Sequence, residues 1–438
     1  MLDIHYLREN WKQAEKAIAS KGVKVDLREL LRVDEKYCET LRRMENQRAL
    51  KNKATEEIVK ADPAKRKKLI EDAKVFDRDA DRAQKELDEL SSELKTLLEQ
   101  LPNLPAEDVK IGKDESENEI LKTVGWRKDG SYGEGGGARE ISFAAKSATE
   151  LGETLGVIDI ERAGKVAGSR FGYLLGGAVF LEFALARYAL DRLLADGFMA
   201  VAPPVMIKPE MMRSMGYLSR GGEDETYHFT GQGDDFYLVG TSEQSVVPMH
   251  AGEILSLESL PLRYVAFSTC FRREAGSYCK DTKGILRVHQ FDKLEMVSIT
   301  TPETSMLEHE HLLELEEELV SGLKLPYRVI KQCTGDLGDP AARTFDIEIW
   351  MPGQGRYRET HSTSNTTDFQ TRRLNIKYRD SAGKPVLAHA LNGTAFAIGR
   401  MIIAILENCQ QDDGSVVLPE VLHKYLPAGQ EVLKQTRK

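Results

Sequence analysis

The chain has 438 residues, of which 41% are hydrophobic and 30% are charged, and its formal net charge is −9. This composition is typical of a folded protein of about two or three domains, and it excludes a disordered chain, a collagen-like fibre and a disulfide-stapled miniprotein. The negative charge also excludes a generally basic nucleic-acid binder, so any contact with nucleic acid requires a local basic patch.

The cysteines are scattered along the chain without a CxxC pair: Cys38, Cys270, Cys279, Cys333 and Cys409. The spacing of Cys270, Cys279 and His289 matches no zinc module, so we expect neither disulfides nor structural zinc. The N-terminus lacks a signal-peptide pattern, and the apolar stretch 396–406 is interrupted by Arg400 and too short to span a bilayer. We therefore expect a cytoplasmic protein without a membrane partner.

The first predicted elements are two long helices between Leu27 and Leu101, a stretch without glycine. Apolar residues there repeat at alternating spacings of four and three: Leu69, Ala73, Phe76, Ala80, Ala83, Leu87, Leu90, Leu94, Leu97 and Leu101. This period of 3.5 residues indicates a coiled coil. Pro63 breaks the pattern, because proline disfavours helix in the residue before it. We expect an antiparallel hairpin with helices of roughly 45 to 60 Å.

The tip of this hairpin is basic: Lys60, Lys65, Arg66, Lys67 and Lys68. Such a run is either a solvated loop or a phosphate-contacting patch held away from an acidic body. Pro102 and Pro105 end the hairpin, so we expect an N-terminal domain over residues 1–110 and a second domain over residues 111–438.

The second domain shows no regular alternation of strands and helices. Helices are predicted over 178–195 and 401–408, and strands over 236–239, 262–267, 286–299 and 344–350. Strands between two helical flanks favour an α+β fold, in which an antiparallel sheet is flanked by helices.

Three segments of this domain carry side chains that suit a charged ligand. The first, 197–205, joins a helix to a short strand and a proline pair. The second, FRREAGSYCKDTKGILRVHQFDKLE from Phe271, would place charges of both signs and one ring on a sheet face, which is either solvated or binds a charged planar ligand. The third, NGTAFAIGR at 392–400, combines small residues with an arginine at a helix start, which suits polyphosphate.

In this order the segments resemble motifs 1, 2 and 3 of the class II aminoacyl-tRNA synthetases. Within that class the whole chain resembles the seryl-tRNA synthetase family, through the hairpin, Thr241–Glu243, ETHSTSN at 359–365, the following DFQTRRLNIKY, and AILEN behind the third motif. The resemblance implies a ligase that forms seryl-adenylate from L-serine and ATP. The seryl group then passes to the 3′ end of serine tRNA, and selenocysteine tRNA stays open as a further substrate.

The resemblance also implies roles for individual residues. Arg272 would bridge the α-phosphate and the serine carboxylate, Glu274 would hold ATP near its base, and Arg400 would bind the distal phosphates; these are the predicted catalytic residues. The serine carboxylate is already ionised, so the chemistry needs alignment and charge neutralisation, not a general base. Phe291 would stack on adenine. The rest of the predicted ATP site comprises Arg273, Val288, Glu359, Thr360, His361 and Ser362.

Serine recognition falls by the same resemblance to Thr241, Ser242, Glu243, Arg272, Glu295, Asn392 and Thr394. Glu243 suits the ammonium group and Glu295 the hydroxyl, and a buried polar site rejects an analogue that lacks the hydroxyl. Glu359 and Ser362 would hold the Mg²⁺ that accompanies ATP. The hairpin tip would contact tRNA, and the first motif implies a homodimer.

Two other functions remain alternatives: a paralogue that charges a carrier protein or no acceptor, and a non-enzymatic coiled-coil interaction protein. The hairpin argues against the paralogue, because such proteins usually lack it. The presence of Arg272, Glu274, Glu295, Glu359 and Arg400 argues against a protein without catalysis.

Overall fold

The computed structural model describes residues 1–231, 233–275 and 284–435, and the chain divides into two compact units, Met1–Pro102 and Asn103–Lys438. The boundary differs from the expected one at residue 110 because Asn103 is bound inside the second unit. Its Nδ2 donates to the carbonyl oxygens of Pro340 (2.9 Å) and Thr366 (2.8 Å). Within the described ranges, no helix is long and apolar enough to cross a membrane.

The first unit consists of α1 (Ile4–Ser20), α2 (Leu27–Lys60) and α3 (Pro63–Glu99). Asp26 caps the start of α2, where its carboxylate accepts a hydrogen bond from the backbone N–H of Arg28 (3.0 Å). Pro63 is the first residue of α3, a position that suits proline because the first N–H of a helix has no intrahelical partner. The proline therefore ends one helix and starts the next.

Helices α2 and α3 form the predicted antiparallel hairpin. Met44 of α2 packs with Ala83 and Leu87 of α3, and Tyr37 and Leu41 join this cluster. Ion pairs between Arg43 and Glu86 and between Lys51 and Asp77 connect the two helices outside the apolar seam. The 3.5-residue repeat thus marks the surface along which the helices meet.

The second unit contains the remaining elements. Its helices are α4 (Ala148–Leu155), α5 (Ile160–Ala167), α6 (Gly177–Ala195), α7 (Pro209–Met215), α8 (Glu243–Val246), α9 (Ser305–Gly322), α10 (Phe369–Leu374) and α11 (Ile398–Cys409). Its strands are β1 (Glu119–Trp126), β2 (Tyr132–Glu134), β3 (Ile158–Asp159), β4 (Tyr173–Leu174), β5 (Met199–Val201), β6 (Met206–Ile207), β7 (His228–Gly231), β8 (Asp234–Leu238), β9 (Ile254–Leu255), β10 (Leu262–Phe271), β11 (Gln290–Thr300), β12 (Tyr327–Lys331), β13 (Arg343–Met351), β14 (Arg356–Asn365), β15 (Lys377–Arg379), β16 (Pro385–Leu387), β17 (His389–Ala397), β18 (Val416–Val417) and β19 (Val432–Leu433).

The largest sheet has the strand order β2-β1-β12-β13-β14-β17-β11-β10-β5. Its strand pairs are antiparallel, apart from the parallel pairing of β5 with β10 at one edge. Helices α6, α9 and α11 contribute buried apolar residues such as Leu185, Leu312 and Ile402 to the main core. This arrangement confirms the predicted α+β fold.

All four strands predicted from the sequence have somewhat different bounds in the structure, and the differences at β10 and β11 affect the site. β10 extends to Phe271, and β11 begins at Gln290 instead of residue 286. Arg272 and Glu274 therefore lie after the end of β10, and Arg287 and His289 lie before the start of β11. The extended conformation cannot continue through this segment, because Glu274 has a positive φ of 52°.

Candidate active site

A cavity of about 650 Å³ lies where β11, β14 and β17 meet the loop that follows β10. Its lining contains most of the residues that the sequence indicated: Thr241, Glu243, Arg272, Glu274, Val288, Phe291, Glu295, Glu359, Thr360, Ser362, Asn392, Thr394 and Arg400. The structure therefore brings most of the predicted ATP residues and most of the predicted serine residues to one site.

Two β-bulges determine which side chains face this cavity. In β14, His361 pairs with Ile347 but Glu359 pairs with Glu348, so Thr360 is an extra residue. Glu359 and Ser362 are three positions apart and would lie on opposite faces of a regular strand. Because the bulge shifts the alternation by one residue, both line the cavity.

The second bulge lies in β17. Leu294 pairs with Phe396 and Glu295 pairs with Thr394, so Ala395 is the extra residue. As a result Thr394 and Ala397 line the cavity, whereas Phe396 is fully buried in the core. Helix α11 begins directly after this strand, and Arg400 lies in its first turn.

Arg272 and Phe291 form the centre of the cavity lining. The Arg272 guanidinium carbon lies 5.3 Å from the centre of the Phe291 ring. Its Nε donates to the carbonyl oxygen of Gly240 (3.1 Å), which fixes the direction of the side chain. A flat ring and a planar cation side by side suit a ligand that has an aromatic base and an anionic group.

Glu243 is buried in a small polar recess of the cavity. Its Oε1 accepts hydrogen bonds from the Tyr217 hydroxyl (2.6 Å) and from Gln370 Nε2 (3.2 Å). Burial, together with the nearby carboxylate of Glu295, raises the pKa of Glu243 to about 7. A carboxylate that is hydrogen-bonded on one oxygen and poorly solvated is well suited to pair with a cationic ligand group.

Glu295 lies in the same recess and is also buried. Its Oε2 is 2.5 Å from the Lys293 ammonium nitrogen and accepts a hydrogen bond from the Thr394 hydroxyl (3.4 Å). The Thr241 hydroxyl is buried at the cavity wall, and it has no hydrogen-bond partner among the described residues. The recess therefore offers both donors and acceptors to a small polar ligand.

The other end of the cavity combines an arginine with oxygen ligands. Arg400 Nη1 donates to the carbonyl oxygen and to Oε1 of Glu359, both at 3.0 Å. Asp346 pairs with Ser362 across β13 and β14, and burial and the neighbouring Glu359 carboxylate raise its pKa well above the usual range. Its Oδ1 is buried without a hydrogen-bond partner among the residues described. Glu359, Ser362 and Asp346 thus supply the hard oxygen atoms that a divalent cation prefers.

Three predicted site residues do not line the cavity. Ser242 is fully buried, and Arg273 is exposed at the surface. The His361 ring faces the core, where it lies 5.7 Å from the Phe396 ring, and burial lowers its pKa to about 3. The bulge at Thr360 explains the position of His361, because it places that residue opposite the core residue Ile347.

The sequence assigned no role to several residues that complete the site, although it placed Lys293 on the charged face of the second motif. Tyr217, Gln370 and Lys293 hold the two acidic groups of the recess, and Asp346 joins Glu359 and Ser362. Lys293 and Gln370 lie within motifs noted above, so their proximity to functional residues was a usable signal. Tyr217 and Asp346 belong to none of the sequence motifs noted above, and only the fold of the chain brings them to the site.

A zinc site was not expected. In residues 1–231, 233–275 and 284–435, no group of three or more His, Cys, Asp or Glu side chains could hold a metal ion. Cys270 is buried, and Cys279 lies outside the described residues.

At the hairpin tip, Lys60, Lys65, Arg66, Lys67 and Lys68 are all exposed. The backbone N–H of Lys65 donates to the Asp62 carboxylate (3.1 Å), which caps the start of α3. These basic side chains are thus presented to solvent at the end of a long, well-packed pair of helices.

Comparisons with known proteins are consistent along the whole chain. Residues 227–409 match the tRNA synthetase class II core domain (G, H, P, S and T), and residues 1–105 match the seryl-tRNA synthetase N-terminal domain. The serine–tRNA ligase of Thermobifida fusca is 43% identical over 99% of both chains, and that of Acidothermus cellulolyticus is 44% identical over 100% of both. The crystal structure of seryl-tRNA synthetase from Pyrococcus horikoshii complexed with ATP is similar over 100% of both chains, with a TM-score of 0.89 and 38% identity.

The antiparallel sheet, the cavity and the matched core domain define a class II aminoacyl-tRNA synthetase. The N-terminal domain and the full-length relatives narrow this assignment. The chain belongs to the seryl-tRNA synthetase family.

Proposed function

We propose that this chain is a serine–tRNA ligase, which activates L-serine with ATP and transfers the seryl group to serine tRNA. The observation that carries the proposal is the junction of two subsites in one cavity. A recess with the buried carboxylates of Glu243 and Glu295 adjoins a surface formed by Arg272, Phe291 and Arg400. The full-length similarity to serine–tRNA ligases supports the same substrates.

In the activation step, the serine carboxylate attacks the α-phosphorus of ATP and pyrophosphate leaves. Glu243 would bind the serine ammonium group, and Glu295 would accept a hydrogen bond from the serine hydroxyl. Arg272 lines the same cavity as the recess and lies 5.3 Å from the centre of the Phe291 ring, and its guanidinium would bind both the serine carboxylate and the α-phosphate. Alignment of two bound reactants and neutralisation of their charge together account for much of the rate enhancement.

The rest of the site would hold ATP. Phe291 and Glu274 both line the cavity. Phe291 would offer a face for adenine, Glu274 would hold ATP near its base, and Arg400 would bind the distal phosphates. Glu359, Ser362 and Asp346 would hold Mg²⁺ together with phosphate oxygens, and the cation would neutralise charge on the departing pyrophosphate. The buried, unpartnered Oδ1 of Asp346 and its raised pKa are consistent with a cation at this position.

The hairpin would bind the tRNA substrate. Its exposed basic tip can contact RNA phosphates, whereas the chain as a whole carries a net charge of −9. We place the reaction in the cytoplasm, where the unpaired state of Cys38, Cys270, Cys333 and Cys409 is typical.

We further propose that the enzyme acts as a homodimer. The predicted first motif, residues 197–205, contains β5 at the edge of the large sheet. The exposed fractions of Phe183 in α6 and Met199 in β5 are 62% and 63%, which is high for large apolar residues. A second copy would cover these side chains.

ATP–pyrophosphate exchange with each amino acid tests the proposed activity. Serine should support exchange far better than alanine or threonine. Glu295→Ala should reduce serine-dependent exchange by about 10²-fold. The hydroxyl of the bound serine would lose its hydrogen-bond acceptor, and serine would move out of its reactive position. Equal exchange with serine and alanine in the parent enzyme would contradict the proposal. Loss of tRNA charging with intact exchange would instead favour a paralogue with another acceptor.

A further inference from the structure

The segment Arg272–Ala275 follows β10 and carries Arg272 and Glu274 to the cavity. It belongs to no strand, but its backbone is anchored on two sides. The Arg272 N–H donates to the carbonyl oxygen of His289 (3.0 Å), and the Arg272 carbonyl oxygen lies 3.0 Å from His289 Nδ1. The Arg273 N–H donates to the carbonyl oxygen of Glu225 (2.9 Å).

The peptide group between Glu274 and Ala275 is held at both of its polar atoms by charged side chains. Arg170 Nη1 donates to its carbonyl oxygen (3.5 Å), and its N–H donates to Glu225 Oε2 (3.1 Å). Arg170 follows α5, whereas Glu225 precedes β7, so two distant segments meet at one peptide group. The bond to Glu225 has an ordinary N–H···O length, whereas the contact from Arg170 is long. In both, one partner is a charged side chain, which strengthens a hydrogen bond.

The backbone at this point needs such support. Glu274 and Arg170 have φ values of 52° and 61°, in the left-handed region that residues with a Cβ atom avoid. Such conformations cost on the order of 1–3 kcal/mol and persist where surrounding contacts determine them. The Arg170 backbone contributes as well, because its carbonyl oxygen accepts a hydrogen bond from the His289 N–H (3.0 Å).

This conformation sets the position of the Glu274 carboxylate. Glu274 lines the cavity, and its Oε2 lies 3.4 Å from Arg287 Nη1 on the other side of the loop. Rotation about the N–Cα bond of Glu274 would move its side chain and the Glu274–Ala275 peptide together. A peptide that is held in place therefore keeps the φ of Glu274 fixed and its carboxylate beside Arg287.

We propose that Arg170 and Glu225 are positioning residues for ATP. They lock the Glu274–Ala275 peptide from both ends and thereby hold the Glu274 carboxylate at the ATP end of the cavity. This inference rests on the proposed function, because it assigns Glu274 to the binding of ATP. Arg170 does not line the cavity, whereas Glu225 does. We assign the effect of both residues to the peptide, and measurements in a Glu274→Ala background test this assignment for Glu225.

Kinetics of pyrophosphate exchange test the proposal in Arg170→Ala, Glu225→Ala and the double variant. Each single change should raise the KM for ATP about 5- to 20-fold and leave the KM for serine within about twofold. The double variant should resemble the single variants, since either loss releases the same peptide. Glu225→Gln keeps an acceptor oxygen and should recover most of the affinity. Lys165→Ala is the matched control, because its exposed ion pair with Glu161 lies in α5 away from the loop.

The same changes in a Glu274→Ala background separate positioning from direct contact. There, Arg170→Ala and Glu225→Ala should raise the KM for ATP no further. A further increase, or an unchanged KM for ATP in the single variants, would overturn the inference. Equilibrium ATP binding by calorimetry gives the same comparison without catalysis. A parent enzyme without serine-dependent exchange would overturn the proposed function, while the ATP affinities would still decide the role of the two residues.

Discussion

Glu243 provides a pH-dependent feature of the serine recess. Burial raises its pKa to about 7, so the carboxyl group is mostly ionised above that pH and mostly protonated below it. Only the ionised form can pair with the ammonium group of serine. We expect the KM for serine to be constant above pH 7 and to rise as the pH falls, approaching about tenfold per pH unit. Pyrophosphate exchange between pH 5.5 and 8.5 measures this dependence.

Glu243→Gln serves as the reference for this pH profile. Glutamine keeps the hydrogen-bonding shape of the side chain and does not titrate, so its weaker serine binding should be independent of pH over the same range. A parent enzyme with a flat KM profile for serine would show that Glu243 does not bind the ammonium group as an anion.

Glu316 in α9 is a second buried acid, and its ionisation should affect the stability of the fold instead of the binding of serine. It is fully buried, its oxygens have no hydrogen-bond partner among the described residues, and burial raises its pKa well above the usual range. Unfolding therefore releases a proton, and the stability associated with this group is lost as the pH rises from the unfolded pKa towards the folded pKa. Glu316→Gln cannot release that proton. We expect its melting temperature to exceed that of the parent at pH 9, with a smaller difference at pH 6.

Thermal unfolding from pH 6 to pH 9 tests this expectation. A change of 1 kcal/mol shifts the melting temperature by about 2–4 °C in domains of roughly 150–250 residues, and by less in a larger unit such as Asn103–Lys438. Glu314→Gln, an exposed residue of the same helix, is the matched control. Parallel curves for the parent and Glu316→Gln would show that Glu316 does not titrate differently in the folded state.

At the scale of elements, we expect the hairpin of α2 and α3 to contribute to tRNA binding but not to the activation of serine. Its basic tip should bind RNA phosphates, while the cavity residues lie in the other unit. Neutralising Lys65, Arg66, Lys67 and Lys68 should weaken tRNA binding. The slope of the logarithm of the binding constant against the logarithm of the salt concentration should become shallower by roughly 0.7 to 0.9 for each phosphate contact that is lost. Serine-dependent pyrophosphate exchange should stay unchanged.

A set of exposed basic residues away from the tip provides the charge-matched control: Arg32, Lys36, Arg82 and Lys85. Filter binding of serine tRNA at several salt concentrations compares the two variants. If tip neutralisation leaves tRNA charging unchanged, the hairpin is only a spacer. If it abolishes pyrophosphate exchange as well, the hairpin supports the catalytic unit.

The hairpin was predictable from sequence because a coiled coil depends on a local repeat, and Pro63 marks its turn directly. The strands between two helical flanks likewise predicted the α+β fold, and the three motifs predicted most of the cavity lining. The bulges at Thr360 and Ala395 were not predictable, because an extra residue in one strand is defined only by its pairing with another. For the same reason, the sequence did not show that His361 faces the core or that Asp346 stands opposite Ser362.

At the scale of the whole molecule, assembly should depend on the apolar surface of α6 and β5. Phe183→Glu would place a charge in the proposed interface, where desolvation without a partner opposes association. We expect the parent to sediment as a dimer of the 49.1 kDa chain at micromolar concentration and the variant to sediment as a monomer. Ile111→Glu, at another exposed apolar position with 69% of its surface accessible, should remain a dimer. A monomeric parent would contradict the proposed assembly.

The bulge at Thr360 also has a consequence for how this gene can change. Loss of a single codon in most surface loops shortens a connection and leaves the neighbouring side chains in place. Loss of the Thr360 codon would preserve every other amino acid, yet it would turn either Glu359 or Ser362 away from the cavity, since β14 would become a regular strand. Evolution of this segment should therefore tolerate substitutions far better than deletions. The test is a library of single-codon deletions across residues 356–365, expressed in cells whose growth depends on this enzyme. We expect the deletions to abolish growth far more often than substitutions at the same positions.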